Sequence, residues 1–373
     1  MRTTCESARH ARFEMRMHDA LCMKCGFVFE EKTPESGYLE AYYADAFSLE
    51  SDTADLRPDY DAGRRIEFMK GHVDQGSRIL EIGANRGDFC RDLESAGFEA
   101  TGVDPLERRD QAVVEGGFIA SEQTATGVFD VVASYYVLEH VTDARAWLAA
   151  VSRNLKTGGI LITEVPNFER DPAASLNHEH FLHFTPYHLE RLLQSCGYSV
   201  LGTDASPASR HFGFAMAARK VDVMAPASGA IMPDTAAIYA RGMDEKRRRL
   251  SQENAVADDV ARLVDAVGGA DSAHIYFWGA NEIATSIAVL LSGKTPVVPF
   301  VLDNSSQKKG LRHEGFSSPV ATPDGVRFGA GNHIFVLCSP SWNAQIREQV
   351  EALAVTRAHF VDVRDHGIGE PRP

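Results

Sequence analysis

The stretch Arg78-Ile-Leu-Glu-Ile-Gly-Ala-Asn-Arg-Gly-Asp-Phe89 decides the fold of this 373-residue chain. Ile79, Leu80 and Ile82 read as a short buried strand, which runs straight into a turn bracketed by Gly83 and Gly87 before a helix opens. Glycine has no Cβ and tolerates positive φ, so such a turn lets the backbone come close to a ligand. Asn85, in its middle, is one of the few other residues that accept that region. Glu81 sits on the strand, and Asp104 ends the next strand 23 residues later, where a carboxylate can accept from both hydroxyls of a ribose.

Outward from this loop, residues 78–82, 100–103, 128–134 and 160–165 are strand candidates separated by helical segments. That alternation predicts right-handed crossovers and a parallel sheet. Residues 198–203 and 211–218, joined by a short Pro/Ser loop, predict an antiparallel hairpin at one edge. An Ala/Pro/Gly-rich linker over 221–235 precedes a charged helix from about Thr235 to Val267. A second α/β alternation follows, with strands at 274–278, 297–302, 334–338 and 359–363 and helices at 281–291 and 342–353. The layout is a cysteine-bearing head over 1–34, an aromatic-rich helical connector over 35–70, a core over 71–220, a linker and helix over 221–270 and a smaller unit over 271–373.

Composition removes several function classes. Thirty-eight Lys and Arg stand against 52 Asp and Glu, a formal charge of −14 that does not suit a chain whose task is gripping nucleic-acid phosphates. No apolar run approaches the ~20 residues of a bilayer span. The first residues lack an apolar signal core, and six cysteines make no disulfide framework, so a reducing cytoplasm is expected.

The loop reads E-x-G-x-x-x-G rather than the dinucleotide pattern G-x-G-x-x-G. It resembles the first motif of class I S-adenosylmethionine-dependent methyltransferases. Asp104, the run Phe129-Asp-Val-Val132 leading to Leu138-Glu-His140, and Leu155-Lys-Thr-Gly-Gly159 extend the likeness over roughly residues 70–220. The resemblance implies a Rossmann-like core binding S-adenosylmethionine, with Gly83, Asn85 and Gly87 along the methionine moiety and Asp104 on the ribose. Glu81 belongs to the same motif, and Glu122 or Gln123 is expected near the adenine.

The acceptor side is expected from Leu176-Asn-His-Glu-His-Phe-Leu-His-Phe-Thr-Pro186, with three histidines and a glutamate within six residues. Thr185 reads as an N-cap with Pro186 at the first helical position. Such histidines can simply cap and pack a loop. On the functional reading, Glu179 orients His180 as a general base and His140 donates to a developing oxyanion. A metal set of His178, His180 and His183 is the weaker alternative, since methyl displacement needs no Lewis acid.

The three-part layout resembles the sugar C-methyltransferases of deoxysugar biosynthesis, which act on nucleotide-linked keto-deoxysugars. Their segment Tyr-x-Glu-His matches Glu179 and His180, whereas the tyrosine position is Asn177 here. The departure leaves O- or N-methylation of a small molecule as an alternative. A scaffold with a degenerate donor site is a further one, against which the intact Glu81, Gly83, Gly87 and Asp104 argue. In the second unit, Trp278-Gly-Ala-Asn-Glu282 and Asp303 point to a substrate shelf rather than a second nucleotide site. Lys308, Lys309 and Arg312 either meet a substrate diphosphate or form a solvated loop.

Cys22-x-x-Cys25-Gly26 has zinc-knuckle spacing. With Cys5 it supplies three ligands. Three readings are open: His10 or His18 completes a structural zinc site, the site is vestigial, or the chain begins short of a further cysteine pair that the resemblance implies.

Overall fold

The computed structural model describes residues 18–32, 62–84, 87–104, 114–116, 127–175, 180–205, 213–221, 231–306, 308–313, 315–353 and 355–368. The described residues divide into two compact units, one made of those up to Met243 and the other of those from Asp244 onward.

In the first unit, β1 (Asp19–Leu21) and β2 (Val28–Glu30) form a hairpin, followed by helix α1 (Ala62–Lys70). The alternating part runs β3 (Arg78–Ile82), α2 (Asp88–Ser95), β4 (Glu99–Asp104), β5 (Val114–Gly116), β6 (Phe129–Tyr135), α3 (Ala144–Asn154) and β7 (Leu155–Val165). It continues through β8 (Leu182–His183), α4 (Pro186–Ser195), β9 (Tyr198–Asp204) and β10 (Phe214–Lys220). The seven-stranded sheet has the order β5-β4-β3-β6-β7-β10-β9. All its neighbours are parallel except β10, which runs antiparallel to both β7 and β9. This is the Rossmann-like α/β sheet with the edge hairpin that the alternation predicts.

Neighbouring residues of one strand fall into different apolar clusters. Leu80 and Val132 pack with Trp147, Leu148 and Leu193, whereas Ile79 and Val131 pack with Phe89, Leu93 and Phe98. Side chains alternate across a strand, so the sheet is buried on both faces, as parallel strands require. The helices begin where their caps predict. The Asp143 carboxylate accepts from the Arg145 and Ala146 amides at 3.0 Å, and Thr185 caps α4 with Pro186 behind it. Strand β7 starts at Leu155, five residues before its predicted position, because Leu155 already pairs with Phe129 ahead of an irregularity at Gly158, φ +74°.

One feature lies outside any sequence signal. The short β8 pairs with β2, giving the three-stranded sheet β1-β2-β8, so the amino-terminal hairpin is joined to the segment carrying the histidines.

Helix α5 (Thr235–Ala266) leads into the second unit. There β11 (Ala273–Trp278), α6 (Glu282–Ser292), β12 (Phe300–Leu302), β13 (Asn332–Leu337), α7 (Asn343–Ala352) and β14 (Ala358–Asp362) make a four-stranded, all-parallel sheet. Its order is β12-β11-β13-β14. Strand β12 is shorter than the apolar run predicts, starting at Phe300 rather than Val297. Among the described residues, no helix is long and apolar enough to cross a membrane. The aromatic helix pattern over 38–47 and linker residues 222–230 lie outside the described residues.

Candidate functional site

Strand order reverses between β3 and β6, and in open α/β sheets ligands bind outside the carboxyl ends of strands at that point. The glycine loop lies there. Gly83 leaves β3 with φ +76°, and its amide donates to the Val103 carbonyl at 2.8 Å. A Cβ at Gly83 would stand 2.5 Å from Val137 Cγ2, so the residue after β6 already fills the space an alanine needs. Gly87, at φ +71°, opens α2. Asn85, Glu122 and Gln123 lie outside the described residues.

Two carboxylates converge beside this loop. Glu81 is opposite Gly102 in the register, which places it and Asp104 on one face of the sheet. Both are buried, and the Cys90 thiol donates to Glu81 Oε2 at 3.0 Å. Burial pushes the Glu81 carboxyl up to about 7; the thiol and Arg65 draw it down, and the neighbouring charge of Asp104 raises it. A cradle of small backbone and two acids fits a ligand that carries an ammonium group and a ribose diol. S-adenosylmethionine has both, so the residues present fit it.

Helix α1 is fastened to the same edge of the sheet by charge. Arg64 reaches Glu164 at 2.5 Å and Asp204 at 2.6 Å, and Arg65 reaches Glu164 at 3.3 Å. The Arg65 guanidinium lies 4.2 Å from the centre of the Tyr135 ring. The Tyr136 hydroxyl donates to Glu164 at 3.2 Å from a backbone at φ +59°, a conformation a bulky residue rarely adopts. Sequence reasoning missed this network. Its signal is Glu164, an acid inside the apolar run Ile160-Leu-Ile-Thr-Glu-Val165 that needs a buried cation.

The acceptor side is built from two segments. A single 3-10 turn, Leu138–His140, follows β6 and carries Glu139 and His140. The Phe181 amide donates to the Glu139 carbonyl at 2.8 Å, which brings His180 to the same place. The His140 and His180 rings meet edge to face, 4.9 Å between centres. The buried Glu139 carboxylate lies 3.8 Å from His140 Nε2. One donor atom from each of Glu139, His140 and His180 lies within 4.8 Å of the others, among the described residues the one grouping of three side chains able to hold a cation. The set could equally pass a proton between a base and its partners.

The two histidines expected to act together therefore stand together, and Glu139 is a third member that sequence reasoning had left without a role. Asn177, His178 and Glu179 lie outside the described residues. His183, a member of the alternative metal set, has a buried ring with its Nε2 3.2 Å from Asp19 Oδ1.

The cysteine pair occupies the turn of the β1–β2 hairpin. The Gly26 amide donates to the Cys22 carbonyl at 2.8 Å with Gly26 at φ +72°, the tight turn that points two thiols to one side. Backbone amides of Cys25 and Lys24 lower the Cys22 thiol below its usual range. Cys5 and His10 lie outside the described residues, and no third ligand joins Cys22 and Cys25 among the described ones.

In the second unit, Asp303 holds its own turn. It accepts from the amides of Ala280 and Ser305 at 2.9 Å and from Lys308 Nζ at 3.1 Å. Lys308 also donates to the Ala280 carbonyl at 2.9 Å, so its charge is engaged within the loop.

Comparison with known proteins finds relatives for the first unit. Residues 55–203 match the family model of a methyltransferase domain. The ubiquinone biosynthesis O-methyltransferase of Nitrosococcus oceani is 33% identical over 126 residues, covering 30% of this chain and 52% of that protein. Its counterpart from a Bradyrhizobium species is 31% identical over 103 residues, covering 25% and 41%. The chain thus spans about half the length of the curated relatives it matches. Among solved structures, the 1,6-didemethyltoxoflavin-N1-methyltransferase of Burkholderia thailandensis, which holds S-adenosylhomocysteine, covers 55% of this chain and all of its own. It is 17% identical, with a TM-score of 0.43. Over residues 55–203, two-fifths of its length, the chain is thus similar to methyltransferase domains.

Proposed function

We propose that the chain methylates a small molecule at carbon, next to the ketone of a nucleotide-linked deoxysugar. The observation that carries this reading is the edge-to-face pair of His140 and His180, 4.9 Å apart, beside the switch-point loop. When bound, S-adenosylmethionine supplies an electrophilic methyl group on sulfur. The chain's own residues then have two tasks, to position the acceptor and to manage its proton. His180 takes the proton from the carbon next to the ketone, with Glu179 orienting its ring. His140 and Asn177 donate to the enolate oxygen that this creates. Glu81, Gly83, Gly87 and Asp104 would hold the donor, which would supply the methyl group to the enolate carbon that His180, His140 and Asn177 prepare.

Glu81, Gly83, Asn85, Gly87, Asp104 and Gln123 hold the donor in this reading. Cys5, Cys22 and Cys25 bind a structural zinc in a cytoplasmic protein. Metal content of the purified chain tests the zinc assignment: near one per chain is expected, and near zero removes it.

O- or N-methylation by the same base is the second reading, favoured by the names of the O-methyltransferases that the first unit resembles. The two separate in deuterated water with a nucleoside-diphosphate-linked keto-deoxyhexose and no donor. Enolate chemistry predicts exchange of the proton next to the ketone, abolished in His180→Ala while donor affinity holds within about twofold. Absence of exchange, together with methyl transfer to a hydroxyl or amine, replaces it with the second reading.

A further inference from the structure

The amino-terminal hairpin and the histidine segment are joined by backbone hydrogen bonds and by a buried side-chain contact. Strand β2 pairs with β8 through Val28 with His183 and Phe29 with Leu182. The Glu30 amide donates to the Phe181 carbonyl at 2.8 Å, and the Phe181 amide donates to the Glu139 carbonyl at 2.8 Å. Phe181 is therefore held on both sides, by the hairpin and by the turn that carries His140, and its preceding residue is His180.

The side chains make a second connection. His183 has a fully buried side chain, and its Nε2 is 3.2 Å from Asp19 Oδ1. A carboxylate only accepts, so Nε2 carries the proton. The other oxygen of Asp19 accepts from the Tyr239 hydroxyl at 3.3 Å. A third tie comes from His188, whose Nε2 donates to the Cys25 carbonyl at 2.8 Å while Nδ1 accepts from the Thr185 hydroxyl at 2.7 Å. The cysteine turn is thereby fastened to the start of α4. Three links from two short strands exceed what a loop needs merely to be covered.

We propose that Asp19, with Tyr239 and His183, is the positioning group for His180: the hairpin sets where the acceptor-side imidazole stands. Asp19 touches no reacting atom in this account. It acts by fixing β8, and β8 fixes the two residues before it. Displacement of a base by an ångström can cost on the order of 100-fold in rate, so the proposal concerns turnover and leaves donor binding alone. It rests on the reading of His180 as the base.

The test compares Asp19→Ala, Asp19→Asn and His180→Ala in the full chain. Rates are expressed per donor site titrated with S-adenosylhomocysteine, so that misfolded protein does not count. The probe reaction is solvent exchange of the keto-deoxyhexose nucleotide, and hydrogen exchange of the Phe181 amide is followed in parallel. We expect Asp19→Ala to lose on the order of 10- to 100-fold in turnover, with donor affinity unchanged and Phe181 exchanging faster. Asp19→Asn keeps an oxygen for the His183 proton and is expected to stay within a fewfold of the parent.

If Asp19→Ala does not fold, Tyr239→Phe, which removes only the hydroxyl, is expected to speed Phe181 exchange in the same direction. Unchanged turnover per site and unchanged Phe181 exchange in Asp19→Ala, or unchanged exchange in Tyr239→Phe where that variant stands in, overturns the proposal. Should His180→Ala stay active, the base assignment itself falls. An inactive His180→Ala beside a fully active Asp19→Ala removes only the positioning role.

Discussion

The parallel strands of the two larger sheets place the same parts at the same point and use them differently. In each, a strand, β3 or β11, is followed by a glycine with positive φ, Gly83 or Gly279, and an aspartate stands at the tip of the next strand, Asp104 ending β4 and Asp303 following β12. In each, the glycine faces the residue beyond the neighbouring strand across the switch point, Val137 in the first unit and Ser339 in the second. The difference lies in the acids. Asp104 sits beside a second buried acid, Glu81, and the pair invites a cationic, hydroxyl-bearing ligand. Asp303 is occupied by two backbone amides and Lys308, which turn it into a structural cap. The second buried acid beside the strand tip is what the first loop has and the second lacks among the described residues.

The largest expected effect separates the two acids. Asp104→Ala is predicted to weaken S-adenosylmethionine binding on the order of 10- to 100-fold, the worth of about 1.5–3 kcal/mol for hydrogen bonds to a charged group. Asp303→Ala should leave that affinity alone and lower thermal stability instead, since it strands Lys308 and the Ala280 amide. Equal losses of affinity in both variants would break the contrast between the units. Calorimetric titration beside a melting curve reads both quantities.

The glycines give a smaller and more even effect. Gly83→Ala places a Cβ against Val137 and a side chain at φ +76°, for a cost of about 1–3 kcal/mol and weaker donor binding. Gly279→Ala, at φ +111° with Ser339 in the way, should destabilise comparably without touching donor affinity. Denaturant unfolding of the two variants would show whether the loops are alike in strain while unlike in use.

Glu81 sharpens the comparison through pH. Its folded-state pKa, about 7, lies above the ordinary 4.5, so the folded protein binds the proton more tightly than the unfolded chain. That contribution is complete below pH 4.5 and is lost as the pH rises through about 7. The donor-free protein should therefore lose melting temperature between pH 5 and 8, and Glu81→Gln should flatten that slope. An identical slope in the variant would remove Glu81 as its source.

Much of this was legible in the sequence because it depends on local order. Alternation of apolar runs, the Thr185-Pro186 cap and the E-x-G-x-x-x-G loop each declare themselves within a dozen residues. The meeting of His140 with His180 was anticipated from a resemblance, and the geometry adds Glu139. What escaped notice joins residues far apart in the chain. Arg64 finds Glu164 one hundred residues later, and Asp19 finds His183 across 164. The three-residue strands of the hairpin are too short for any periodicity to register. Such contacts follow from where the topology brings strand ends together, and a single sequence carries no record of that.

The central claim is that one loop, and only one, is the donor site. Titration of S-adenosylhomocysteine into the purified chain tests it most directly. The account predicts one site per chain; two sites, or none, would contradict it.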